Sequence, residues 1–108
     1  MGKSRRKAKA RQASKLEEIR KALVSAGCIT VAEQAAVLGL PRSTTYGVLN
    51  LDNRAGPSAK VIRRILSSPN LPPPVRRKFK EYVADKISGR YGHSEKRAQA
   101  FAEALEEM

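Results

Sequence analysis

The 108-residue sequence predicts an all-α fold, a compact bundle of five to six short helices. Three observations predict it. Apolar residues recur three and four positions apart in nearly every segment. Ser or Thr opens most of those segments, and Gly or Pro closes them. Runs of strand-forming residues are almost absent. Only "CITV", residues 28–31, has a β-rich composition, and a capping pattern within it argues against a strand.

Residues 1–13 carry six Lys/Arg, no acid and no apolar stripe. They read as a basic arm. Their Ala, Lys, Arg and Gln equally suit an extension of the first helix. Ser14 to Ala26 places Leu16, Ile19, Leu23 and Val24 on one stripe. Ser14 and Glu17 have capping-box spacing there, and Gly27 suits the C-terminal stop. Cys28 reads as a small buried apolar residue. Thr30 and Glu33 form a second capping box, opening a helix whose small-residue face is Ala32 or Ala35, with Ala36 and Leu38. Gly39 ends it by permitting a left-handed backbone. A third helix starts near Pro41, a residue that suits a first helical turn, and runs to about Asn50.

"LDNRAGP", residues 51–57, is turn chemistry. Ser58 caps a fourth helix with Val61, Ile62, Ile65 and Leu66 on one side. "SSPNLPPP" is a rigid connector. Pro73 and Pro74 open a fifth helix with Val75, Phe79, Tyr82, Val83 and Ile87 at helical spacing, and Gly89 stops it. His93 reads as a loop residue. Ser94 caps a last helix bearing Ala98, Phe101, Ala102 and Leu105. The domains expected are a basic arm at 1–13, a central domain at 14–90 and an acidic amphipathic helix at 91–108.

Charge narrows the function. The net charge is +12. Residues 1–15 contribute +7, 16–50 are neutral, 51–93 contribute +7 and 94–108 contribute −2. That distribution points to a polyanionic partner, with nucleic acid ahead of an acidic membrane surface. One cysteine and one histidine leave no internal disulfide, no metal cluster and no histidine-centred catalytic pair. No carboxylate pair stands out, so neither an enzyme nor a cofactor is expected. The apolar runs fall far short of the ~18 residues of a membrane span, and no hydrophobic signal segment follows the basic N-terminus. A cytoplasmic, nucleoid-associated location is expected.

The stretch "AAVLGLPRSTTYGVLN", residues 35–50, raises the sharpest question. Its second helix has a polar or small outer face of Arg42, Ser43, Tyr46, Gly47 and Asn50, without the Glu and Lys of an ordinary solvent face. A helix, a short glycine turn and a second helix form the helix-turn-helix arrangement. In that geometry the outer face of the second helix enters the major groove. Arg42 is the best base reader, because a guanidinium can clamp the two acceptors of guanine. Asn50 suits either a base contact or a helix cap.

"TVAEQAAVLGLPRSTTYGVLN" resembles the helix-turn-helix of bacterial and phage DNA-binding regulators, both lac-repressor-type headpieces and lambda-repressor-like proteins. Thr30, Ala35, Gly39, Leu40, Thr44, Val48, Leu49 and Asn50 carry the resemblance. It implies a lambda-repressor-like bundle and a sequence-specific double-stranded DNA-binding transcriptional regulator, such as a repressor, with a recognition helix at about 41–50. It further implies that Arg42, Ser43, Tyr46 and Gly47 face the groove, while Thr30 and Thr44 reach phosphates. Pro41, Thr45 and Gln34 depart from the pattern, which usually has Ser or Thr, Val or Ile, and an apolar residue there. No small-molecule effector domain is expected.

Arg5, Arg6 and Lys7 of the arm, with Arg54 and Lys60 beyond the third helix, complete the expected DNA-binding set. A homodimer is expected on DNA, because one short helix reads few base pairs. Its interface would draw on Phe101, Ala102 and Leu105 with Tyr82 and Ile87, unless the last helix folds back onto the fifth. Two other classes remain: a nucleoid or packaging protein held by charge alone, and a helical protein-interaction module.

Overall fold

The computed structural model describes residues 2–49, 57–92 and 94–106, with side chains from residue 7 onward. Among these residues the chain forms six α-helices and no strand. They are α1 (Gly2–Ser25), α2 (Val31–Leu38), α3 (Arg42–Val48), α4 (Ala59–Leu66), α5 (Pro73–Ile87) and α6 (Glu95–Glu106). The all-α expectation holds.

α1 is longer than its apolar stripe suggests. It starts at Gly2, so Ser14 and Glu17 are mid-helix residues and form no capping box. Ala8 and Gln12 extend the stripe of Leu16, Ile19 and Leu23 by two further turns, and both are buried. The helical-extension reading of residues 1–13 therefore describes the chain, and the division expected at 13/14 falls within one helix. At the other end Gly27 takes a left-handed φ of 94°. The Gly27 and Cys28 amides then close on the Val24 and Leu23 carbonyls at 3.0 and 2.9 Å, a Schellman stop. Cys28 is a buried free thiol, as its composition suggested.

α5 packs antiparallel along α1. Lys15 meets Glu81 at 2.8 Å, and Lys78 meets Glu18 at 3.0 Å. The quartet is closed by Lys15–Glu18 at 3.6 Å and Lys78–Glu81 at 3.5 Å. Under it, Leu16, Ile19 and Leu23 interlock with Val75, Phe79 and Tyr82. Lys86, not Ile87, completes the buried stripe of α5; Ile87 is 42% exposed. The i+4, i+3, i+4 spacing from Val75 turns position 86 inward.

α6 folds back within the chain onto α4 and α5. Phe101 and Tyr82 lie in the common core, with Leu105 packed at its margin. Of the side chains expected at a dimer surface, Phe101 and Tyr82 are thereby buried within the chain, while Ile87 stays exposed. Ser94 caps α6 as anticipated, through the Arg97 amide at 3.2 Å.

Candidate functional site

The α2–α3 unit is built by local sequence. Thr30 Oγ1 accepts the Glu33 amide at 3.1 Å, and the Glu33 carboxylate accepts the Thr30 amide at 3.1 Å, so both halves of the capping box form. Nine residues after Thr30, Gly39 takes φ 71° and ends the helix. Leu40 turns inward and is buried. Pro41 is the N-cap of α3 rather than its first helical residue, and its carbonyl accepts both the Thr45 amide (2.9 Å) and the Thr45 hydroxyl (3.0 Å).

That double bond explains one departure from the resemblance. Thr45 is fully buried, and its hydroxyl is satisfied within its own helix. Gln34 is explained in the same way: it is buried and donates to the Cys28 carbonyl at 3.1 Å. Polar residues stand at two core positions without an unmet hydrogen bond.

With Thr45 and Val48 inward, the outer face of α3 follows from helical geometry. Arg42, Ser43, Tyr46 and Gly47 are exposed, and Thr44 is half-buried at the edge. Tyr46 is 69% exposed. A tyrosine ring this open contributes little to the core and offers flat apolar area plus a hydroxyl to a partner. A Cβ at Gly47 would meet nothing within 4 Å, so the glycine is not required by packing inside the chain. α3 ends at Val48, with Leu49 as C-cap, two residues short of the expected end.

The other expected site residues divide. Lys60 and Lys7 are exposed, on α4 and α1 respectively. Thr30 Oγ1 donates to the Glu33 carboxylate at 2.9 Å, so its proton serves the cap. That bond and the paired backbone amide hold the Glu33 carboxyl below the usual carboxylate range. Asn50 and Arg54 lie outside the described residues, as does His93, expected in a loop. Arg5 and Arg6 lie on α1, with side chains outside the description.

Several cations that the flanking charge had suggested for DNA are occupied inside the fold. Arg76 donates to the Leu66 carbonyl at 2.6 Å and to the Ser68 carbonyl at 3.3 Å, stapling the end of α4. Arg63 reaches the Ala104 carbonyl at 3.5 Å. Lys78 belongs to the α1–α5 quartet, and its bond to Glu18 raises its pKa while lowering that of Glu18. Arg64, Arg77 and Lys80 are exposed, as are Lys60 and Arg42.

Sequence reasoning missed Lys86. Its ammonium lies 4.6 Å from the Phe101 ring centroid and 5.8 Å from that of Tyr82, and donates to the Pro57 carbonyl at 3.4 Å. Burial, with the positive charges of Lys9 and Arg97, lowers its pKa to about 8. Nothing local in "VADKIS" marks this lysine as internal.

No group of His, Cys, Asp and Glu among the described residues could hold a metal ion. No helix among them is long and apolar enough to cross a membrane. No protein-family model matches the chain, and neither a curated protein nor a solved structure is significantly similar to it.

Proposed function

We propose that the protein is a sequence-specific double-stranded DNA-binding regulator that inserts α3 of a helix-turn-helix into the major groove. One observation carries the reading: the α3 face of Arg42, Ser43, Tyr46 and Gly47 stands open on a helix whose opposite face, Thr45 and Val48, is locked in the core. Such a face is rigid, narrow and rich in hydrogen-bonding groups. The exposed Lys60 and Arg64 supply charge for phosphates, which hold register without reading sequence.

The reading includes two protomers on DNA, because a single seven-residue helix spans few base pairs. Half-sites then lie about 34 Å apart. Sedimentation of the complex is expected to give two chains per site, and a one-to-one complex on an asymmetric site rejects the dimer.

The deciding experiment selects bound duplexes from a random pool and measures competition against bulk DNA. Preference for the selected site is expected at ~10³-fold or more. Equal affinity for both identifies a binder held by charge alone. Arg42→Ala is expected to lose roughly 1–3 kcal/mol of discrimination, and Tyr46→Ala to weaken the same complex with the fold unchanged. Parent-like binding by both variants overturns the assignment of α3.

A further inference from the structure

One end of α1 carries the α2–α3 unit, and the other carries a concentration of positive charge. Thr30, which opens α2, follows the C-terminal end of α1 by five residues. Gly39, at the turn into α3, lies against Ser68 beside the start of α5. The α2–α3 unit is therefore at the end where α1 stops and α5 begins. The other end of α1 lies beside the last turn of α5, where the Ala8 side chain faces Gly92. From Leu23 back to Lys7 a continuous helix spans about 24 Å, in a molecule 40 Å in its longest extent.

That far pole is strongly cationic. Residues 2–11 of α1 carry six Lys/Arg and no acid. Lys7 and Arg11 are exposed and lie one turn apart on one flank. Arg90 follows α5, and Lys96 and Arg97 stand exposed on the first turn of α6. The charges of Lys9 and Arg97 converge on Lys86, which brings α1 and α6 together at this pole. The acids there are Glu95 and Asp85, and Asp85 is engaged by Tyr91 at 3.1 Å and Arg90 at 3.7 Å. Toward the α2–α3 end the pattern reverses: the Lys15, Glu18, Lys78 and Glu81 quartet balances itself. A helix that needs cations only for packing would be neutralised along its whole length. α1 is neutralised only along its second half.

We propose that this pole, the first turns of α1 with the start of α6, binds the phosphate backbone of a second DNA duplex, so that one molecule bridges two segments. The inference rests on the reading of α3 as the face that binds the first duplex. Phosphates fit the pole because it offers several lysines and arginines at rigid helical spacing. The two faces lie at opposite ends of α1, so a duplex seated at one leaves the other open. Contact at the far pole is read by charge and is independent of sequence.

The test immobilises a duplex carrying the selected site, loads the protein, and counts labelled non-specific duplex captured per retained protein. The parent is expected to capture it, with capture falling steeply between 50 and 200 mM salt. Lys7→Glu/Arg11→Glu/Arg97→Glu, all at exposed positions, is expected to lose capture more than tenfold while staying on the immobilised duplex. Lys21→Glu/Arg77→Glu/Lys80→Glu, with the same net charge, is expected to keep it. Helix content by circular dichroism checks both variants. Retained protein without second-duplex capture overturns the proposal. So does capture that survives the far-pole reversal, which would place bridging in protein–protein contact. Capture lost equally in the matched reversal reduces the effect to net charge and also overturns it. Preference for anionic vesicles over duplex at equal phosphate replaces DNA with a membrane surface. Failure to retain any protein on the first duplex is a separate outcome, and counts against the reading of α3 instead.

Discussion

Ser68 Oγ donates a hydrogen bond to the Val37 carbonyl at 2.6 Å, joining the connector after α4 to the last turn of α2. Arg76 in turn holds the Ser68 carbonyl at 3.3 Å. The end of α2, the connector after α4 and the start of α5 thus converge just before Gly39, the turn that aims α3.

Ser68→Ala removes a partner from a buried helix-end carbonyl and is expected to cost about 1 kcal/mol. That corresponds to a fall of roughly 4–8 °C in Tm. Arg76→Met removes two bonds from a charged donor and is expected to cost more, about 1.5–3 kcal/mol. Thermal unfolding of both variants checks the order.

Gly47→Ala separates stability from binding. Gly47 lies within α3, where alanine favours helix by about 1 kcal/mol, and the added methyl meets nothing inside the chain. Tm is expected to rise. Affinity for a selected duplex is expected to fall if the duplex backbone comes close at this point. A variant that is more stable and binds as well as the parent removes Gly47 from the interface.

Lys86 makes stability depend on pH in an unusual direction. Its folded pKa, about 8, is below that of the unfolded chain, 10.5. Below pH 8 both states carry the charge, and the penalty of burying it is constant. Between pH 8 and 10.5 the unfolded chain holds a proton that the folded chain has released, so stability rises with pH. Above pH 10 the trend reverses, because burial raises the pKa of Tyr82 and Tyr91 and only the unfolded tyrosines ionise. Denaturant titrations from pH 7 to 11 are expected to show a maximum near pH 10. Lys86→Met is expected to flatten the rise and stabilise the fold at pH 7 by at most about 3 kcal/mol.

Tyr82→Phe tests the ring beside it. The Tyr82 hydroxyl is buried without a hydrogen-bond partner, while its ring stacks at 5.1 Å on Tyr91. Removing an unmet polar atom and keeping the ring is expected to be neutral or to stabilise by about 1 kcal/mol. A clear loss in thermal unfolding would reveal a partner for the hydroxyl.

The capping box at Thr30 gives an acid-side prediction. Thr30→Ala is expected to cost about 1 kcal/mol at pH 7. Hydrogen bonds from Thr30, Lys78 and Lys15 lower the pKa values of Glu33, Glu18 and Glu81 respectively. Their contribution is therefore complete above the unfolded-chain value of 4.5 and is lost as pH falls through the lowered folded values. Thr30→Ala should lose slightly less stability than the parent on acidification, because the hydroxyl bond to the Glu33 carboxylate is gone while the larger contribution, from the backbone amide of residue 30, remains.

The parts of this fold legible in the sequence are those decided within four residues. Thr30 with Glu33, Ser58 and Ser94 cap helices as their spacing predicts, and Gly39 takes the left-handed turn. Local pattern also placed Tyr46 outward, because Thr45 and Val48 define the inner face. What escaped depends on other helices. Ser14 and Glu17 mimic a helix start, and only burial of Ala8 and Gln12 beneath the rest of the molecule shows that α1 runs through. Arg76, Arg63 and Lys78 look in sequence like cations open to DNA, yet each is claimed by a partner on another segment. Tyr82 and Phe101 look available for a second chain and are buried in this one.

The pairing of α1 with α5 also sets an order of events during synthesis. Lys15 and Glu81 are 66 residues apart, so α1 leaves the ribosome long before its main partner exists. Until then Leu16, Ile19 and Leu23 have no α5 to cover them. Contacts this distant in sequence close a long loop before they yield any stability, which slows folding relative to a bundle of neighbouring helices. Until residue 87 has emerged the apolar stripe of the first segment stays uncovered, its helix is only marginally stable alone, and the charges that flank the stripe oppose aggregation.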